Sequence, residues 1–141
     1  MTHTTILAER PRLPRTLVAY SAVWLVLGTW SIRVLGFSRT LRFAHALMPR
    51  AQRGLVSAER AEDYARGIAE AAIYFPWRTR CLEQSVALYM VLLIAGLDAS
   101  LRLGVEPFRR SAHAWVEHDG TPLNERDELI RKLAVFPSCG V

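Results

Sequence analysis

Residues 81–118 read CLEQSVALYMVLLIAGLDASLRLGVEPFRRSAHAWVEH, and the change of period inside this stretch decides the fold. Residues 81–95 contain no break, are apolar on every face beyond the first turn, and stop at Gly96. That is the pattern of a helix enclosed by the rest of the protein and ended by a glycine C-cap. From Ala99 the period drops to two: Leu101, Leu103 and Val105 share one face of a strand spanning 99–105. Residues 112–117 form a second strand, and HisAspGly at 118–120 marks a hairpin turn returning into a third strand over 121–125.

Upstream, the chain reads as helical. Ser38 opens a helix to Leu47, stopped at Met48-Pro49 because proline disfavours helix in the residue before it. Ser57 suits the N-cap of a helix to about Phe75. Glu59, Glu62 and Asp63 sit at its positive end, and Ala61, Ala65, Ile68 and Ala72 recur at helical spacing. Helices first and a small antiparallel sheet afterwards define an α+β fold. The chain divides into a basic, apolar N-terminal region (1–56) and a core (57–141), within what reads as one compact domain.

The chain has 141 residues, 51% of them hydrophobic, 22% charged, and two are cysteines. This is enough to bury a core, and it excludes both a disordered chain and a disulfide scaffold. Cys81 and Cys139 read as reduced thiols in a cytoplasm. Charge is uneven: residues 1–55 hold eight arginines and one glutamate. A basic third suggests an acidic peptide or a lipid surface as partner. Nucleic acid fits poorly, since the arginines stand singly among Leu, Val and Trp without a stacking motif. Residues 16–32 carry no formal charge. Their shortness, their Ser, Gly and Thr content, and the lack of a clean cleavage site favour a helix packed in the protein or on a partner. A helix lying on a membrane is the other reading.

Cys81 stands at the first turn of its helix, directly after Arg80, and helix N-termini and cations both favour a thiolate. An isolated cysteine is more often core filling, but His113 on a following strand changes the balance. A helix-start Cys with a strand His is the arrangement of papain-like and transglutaminase-like thiol enzymes. Trp115 and Glu117 read as strand packing and a solvated charge, His118 as surface, and His45 and His3 have no constellation around them. No Cys/His spacing suits zinc, and no cofactor motif is present.

The strings CysLeuGluGlnSer, GlyLeuAspAla and AlaHisAlaTrpValGluHisAspGly, with ProLeuAsn following, together resemble the B2 proteins of lasso-peptide biosynthesis. These are small transglutaminase-like cysteine peptidases that cut the leader from a ribosomally made precursor. The resemblance runs from about Trp77 to the C-terminus. It implies Cys81 as nucleophile and His113 as general base and later acid. It also implies an Asp about a dozen residues beyond the His; this sequence departs from that pattern, with Glu125 at the position, preceded by Asn124. Expected partners are the precursor leader, a small leader-binding protein (a RiPP recognition element) and an ATP-dependent cyclase.

Hairpin register bears on the third residue independently. A three-residue loop over 118–120 with a glycine bulge pairs Glu117 with Thr121 and sets His113 opposite Glu125. A two-residue turn pairs His118 with Thr121 and puts Asn124 on the His113 side. The first register is expected, so Glu125 is the candidate and Asn124 the reserve. Three other functions compete: a transglutaminase-type acyl transferase, a non-catalytic scaffold presenting the precursor, and a membrane-anchoring module.

Overall fold

A computed structural model describes residues 11–46, 58–76 and 79–137. Four helices precede the sheet: α1 (Arg15–Leu35), α2 (Phe37–Ala46), α3 (Ala58–Ile73) and α4 (Cys81–Ile94). The strands β1 (Ala99–Glu106), β2 (Ser111–His118) and β3 (Thr121–Pro122) follow, then the short helix α5 (Asp127–Ile130) and β4 (Ala134–Val135). The sheet runs β3-β2-β1-β4, antiparallel throughout.

Helix α4 is the axis of the fold, with Val86 to Leu93 all buried. Its end is built by Gly96 at φ +80°, whose N–H donates to the Leu93 carbonyl while that of Leu97 reaches back to Leu92. Both bonds satisfy carbonyls that the last turn leaves open, and only glycine takes that φ without strain. Helix α1 packs on α4 and α3 through small residues. A Cβ on Gly28 would lie 3.2 Å from Ala87, and one on Gly67 would lie 2.5 Å from the Ser21 hydroxyl. Leu41 and Ala44 of α2 join the same core.

The sheet has two covered faces. Leu101 and Val116, paired across β1 and β2, project into the helical core. By strand alternation Trp115 points the other way. It is fully buried there against Leu133, over Gly104, where an added Cβ would meet both side chains at 3.1 Å.

The hairpin differs from expectation. Asp119 (φ +50°) and Gly120 (φ +75°) both adopt positive φ, which makes a two-residue turn, and His118 pairs with Thr121, Glu117 with Pro122. Two left-handed residues match the right-handed twist of the flanking strands, and Asp-Gly tolerates them well. The third strand is correspondingly shorter than 121–125. Pro122 has no N–H to give, and after Leu123 donates to the Val116 carbonyl the chain bends away. The helix expected over 38–47 is Phe37–Ala46. That expected over 57–75 is Ala58–Ile73, with its Ser57 cap outside the described residues. Helix α5 and strand β4 were not anticipated.

Candidate active site

The site is assembled where β3 stops. Beyond Pro122, the edge of β2 that faced β3 has no further strand partner among the described residues, and α4 lies along it. Two side chains one helical turn apart bond two strand carbonyls: the Cys81 thiol to Ala112 at 3.8 Å, and the Ser85 hydroxyl to Ala114 at 2.8 Å. The spacing is physical. Four helical residues rise about 6 Å and two strand residues about 6.7 Å, so an i, i+4 pair meets an i, i+2 pair. Cys81 is thereby set beside the backbone of the residue preceding His113. It is exposed, which disfavours core filling as its role.

The first turn of α4 is held from several sides. The Glu83 carboxylate accepts the Arg80 N–H at 2.9 Å, capping the helix, and lies 3.5 Å from the Arg33 guanidinium at the end of α1. Gln84 donates to the Thr79 hydroxyl at 3.0 Å. Glu83 is buried although charged, and these two contacts account for that.

His113 projects from β2, a quarter exposed, between two polar groups. Its Nε2 shares a 3.1 Å hydrogen bond with the Ser111 hydroxyl, and Ser111 lies 3.4 Å from Glu106. Its Nδ1 is 3.9 Å from the Glu125 carboxylate, ion-pair range but longer than a hydrogen bond. Among the described residues, the thiol of Cys81 bonds the Ala112 carbonyl and not the imidazole. Ser111 and Glu106 escaped the sequence reading, and Ser85 entered it only as the last residue of CysLeuGluGlnSer, without a role. Ser85 could have been found as the residue one turn above the cysteine on its face.

Glu125 reaches His113 by a route other than strand pairing. In the observed register, continued pairing would have put Arg126 opposite His113. Instead Asn124 ends the ladder: its side-chain oxygen accepts the Val116 N–H at 2.8 Å, in place of a strand carbonyl, and its amide donates to the Ser85 hydroxyl at 2.8 Å. The bend made there carries Glu125 back toward the imidazole, with its other oxygen on the Arg126 N–H at 3.0 Å. Asn124 is thus tied to strand and helix, and of the two candidates Glu125 is the one beside His113.

Glu117 is not a solvated charge. It accepts the Trp115 indole N–H at 2.9 Å and the Arg102 guanidinium at 3.1 Å. His118 is also less exposed than a surface residue, its Nδ1–H donating to the Asp98 carbonyl at 2.7 Å. His45 has a partner in Tyr89, 3.1 Å away. Burial, with the Asp98 charge behind it, raises the Tyr89 hydroxyl above its ordinary pKa, which keeps it a hydrogen-bond donor. His3 and Cys139 lie outside the described residues.

A thiol at a helix start, set on the edge of a strand that carries an imidazole, defines the thiol hydrolase and acyltransferase class of α+β folds. The family model described as the transglutaminase-like superfamily matches residues 24–138, and the chain belongs to that superfamily. The match begins inside α1, so the N-terminal helices are part of the family fold. No curated protein and no solved structure matches this chain.

Proposed function

We propose that this protein is a cysteine endopeptidase that removes the leader from a ribosomally synthesised lasso-peptide precursor. The observation that carries the reading is the docking of the Cys81 thiol on the β2 carbonyl of Ala112, the residue before His113, within a transglutaminase-like fold and in the motif context quoted above. The Cys81 sulfur attacks the carbonyl of the last leader residue, and its proton passes to His113. The first N–H groups of α4, that of Cys81 included, have no intrahelical acceptor and can stabilise the oxyanion. The C–N bond breaks as His113 returns the proton to the departing core amine. Water then attacks the thioester, giving a proton to His113, and the C–S bond breaks to release the leader acid as His113 returns that proton to the Cys81 sulfur.

Glu125 fixes the imidazole and stabilises its charged form. This requires a modest approach from 3.9 Å, and release of the ring from Ser111 and of the thiol from Ala112. In this reading a leader-binding protein delivers the precursor, raising its effective concentration, and an ATP-dependent cyclase consumes the freed amine in the cytoplasm.

The test is mass spectrometry of a candidate precursor incubated with the purified protein and the leader-binding partner. A product gaining one water at a single peptide bond supports hydrolysis. A product joined to an added amine would show acyl transfer. Full activity at physiological concentration without any partner would refute the delivery step.

A further inference from the structure

Helix α1 has one face in the core and another that is largely uncovered among the described residues, apart from Tyr20, whose ring lies 6.4 Å from that of Tyr64. Ser21, Leu25, Gly28 and Thr29 are buried. On the opposite side Tyr20, Val23, Leu27, Trp30 and Val34 form a row at steps of three and four, each between 42% and 71% exposed. Such a row covers about 21 Å of helix. Exposed Arg15 precedes it, Arg33, exposed but paired with Glu83, stands beside its last residue, and α2 adds Arg39, Arg42 and Phe43, also exposed. Residues 11–46 contain five arginines and no acidic residue.

We propose that this row seats the protein on an anionic lipid surface, with α1 lying in the plane of the interface. An exposed apolar row of this size marks an interaction surface. Its charges select the occupant. A second copy docked through the same face would bring arginines against arginines. The row stands on a helix whose backbone groups are paired within it, so it offers no open sheet edge for a protein partner to extend, and a bilayer needs none. Aromatic and aliphatic side chains enter the acyl boundary while the arginines meet the headgroups. The helix does not span the bilayer, because its Ser21 and Gly28 face is locked on α3 and α4 at contact distances that leave no room for lipid. Its length and apolarity alone would allow a span.

Flotation of the full chain with vesicles tests this. Binding is expected to vesicles of phosphatidylcholine with 30% phosphatidylglycerol, to weaken in high salt, and to be much weaker with phosphatidylcholine alone. Each interfacial arginine contributes about 1 kcal/mol, so Arg39→Gln with Arg42→Gln should lower partitioning about thirty-fold. Leu27→Glu with Trp30→Glu should abolish it while the circular dichroism melt is retained. Should that variant misfold, brominated lipid provides a second readout: it should quench wild-type tryptophan fluorescence, and Trp30→Phe should remove most of that quenching. Absence of binding by the folded wild type overturns the proposal. So does a wild-type dimer that Trp30→Glu dissociates, a partner protein that covers the row while vesicles do not bind, or resistance to alkaline carbonate extraction, which would show a span.

Discussion

Asn124→Ala separates the residue that builds the bend from the one proposed to serve the imidazole. The substitution removes two 2.8 Å hydrogen bonds. It leaves the Val116 N–H without its acceptor on the inner side of a strand, a loss of about 1–3 kcal/mol. Ser85, fully buried, keeps its bond to Ala114 but loses the amide that donates to it, about 1 kcal/mol more. The sum, about 2–4 kcal/mol, corresponds to a fall in Tm of roughly 8–16 °C for a domain of this size. Asn124→Asp should fall between wild type and Ala, because a carboxylate accepts the Val116 N–H but cannot donate to Ser85. Glu125→Gln should behave in the opposite way. It retains an oxygen for the Arg126 N–H, so Tm should move by less than about 0.5 kcal/mol equivalent. Leader cleavage should drop, because the charge that steadies the imidazolium is gone. Thermal melts by circular dichroism and initial cleavage rates measured well below Tm give the two readouts. If Asn124→Ala melts with wild type, the clamp is wrong. If Glu125→Gln and Glu125→Ala cleave at the wild-type rate while folded Asn124→Ala is inactive, Asn124 orients the ring.

Cys81→Ala should abolish leader removal and Cys139→Ala should leave it nearly intact; equal loss in both would defeat the assignment of the nucleophile. Gly104→Ala would place a Cβ 3.1 Å from Leu133 and from the Trp115 ring, so a loss of about 1–3 kcal/mol is expected in chemical denaturation. Unchanged stability there would mean that the Trp115 face is loosely packed. Thr29→Val should raise the unfolding free energy by about 1 kcal/mol, since the Thr29 hydroxyl is buried without a hydrogen-bond partner among the described residues. A destabilised variant would show that the hydroxyl has a partner, such as an ordered water.

What the sequence made legible was whatever one element settles by itself. The unbroken apolar run of α4 could only be enclosed, and Gly96 could be recognised as its end because the chemistry of that turn is local. The alternation in β1 and β2 was legible for the same reason. Elements of two to four residues, α5 and β4, are too short for any period to show. They form because Leu133 needs cover over Trp115 and because β1 offers a free edge, both facts of the tertiary structure. Burial of Glu117 was equally invisible, since its partners Trp115 and Arg102 meet it only once β1 and β2 are paired.

Glu125 comes to lie near His113 by a geometry other than the expected one. A three-residue loop favours it as the third residue, whereas the hairpin has a two-residue turn, whose register by itself sends Glu125 to the far face. The choice between the two turns depends on whether Asp119 takes positive φ, a difference of about a kilocalorie that composition does not display. What restores Glu125 to His113 is the side chain of Asn124, which accepts the strand N–H that a backbone carbonyl would otherwise have accepted and ends the register one residue before it matters. That same amide also holds Ser85, and Ser85 with Cys81 holds α4 on the edge of β2. The bend that carries the carboxylate and the dock that carries the thiol are therefore joined by one hydrogen bond, from the Asn124 amide to the Ser85 hydroxyl. For this reason Asn124, although it does not contact His113, stands to affect both sides of the site when it is lost, and Glu125 only one.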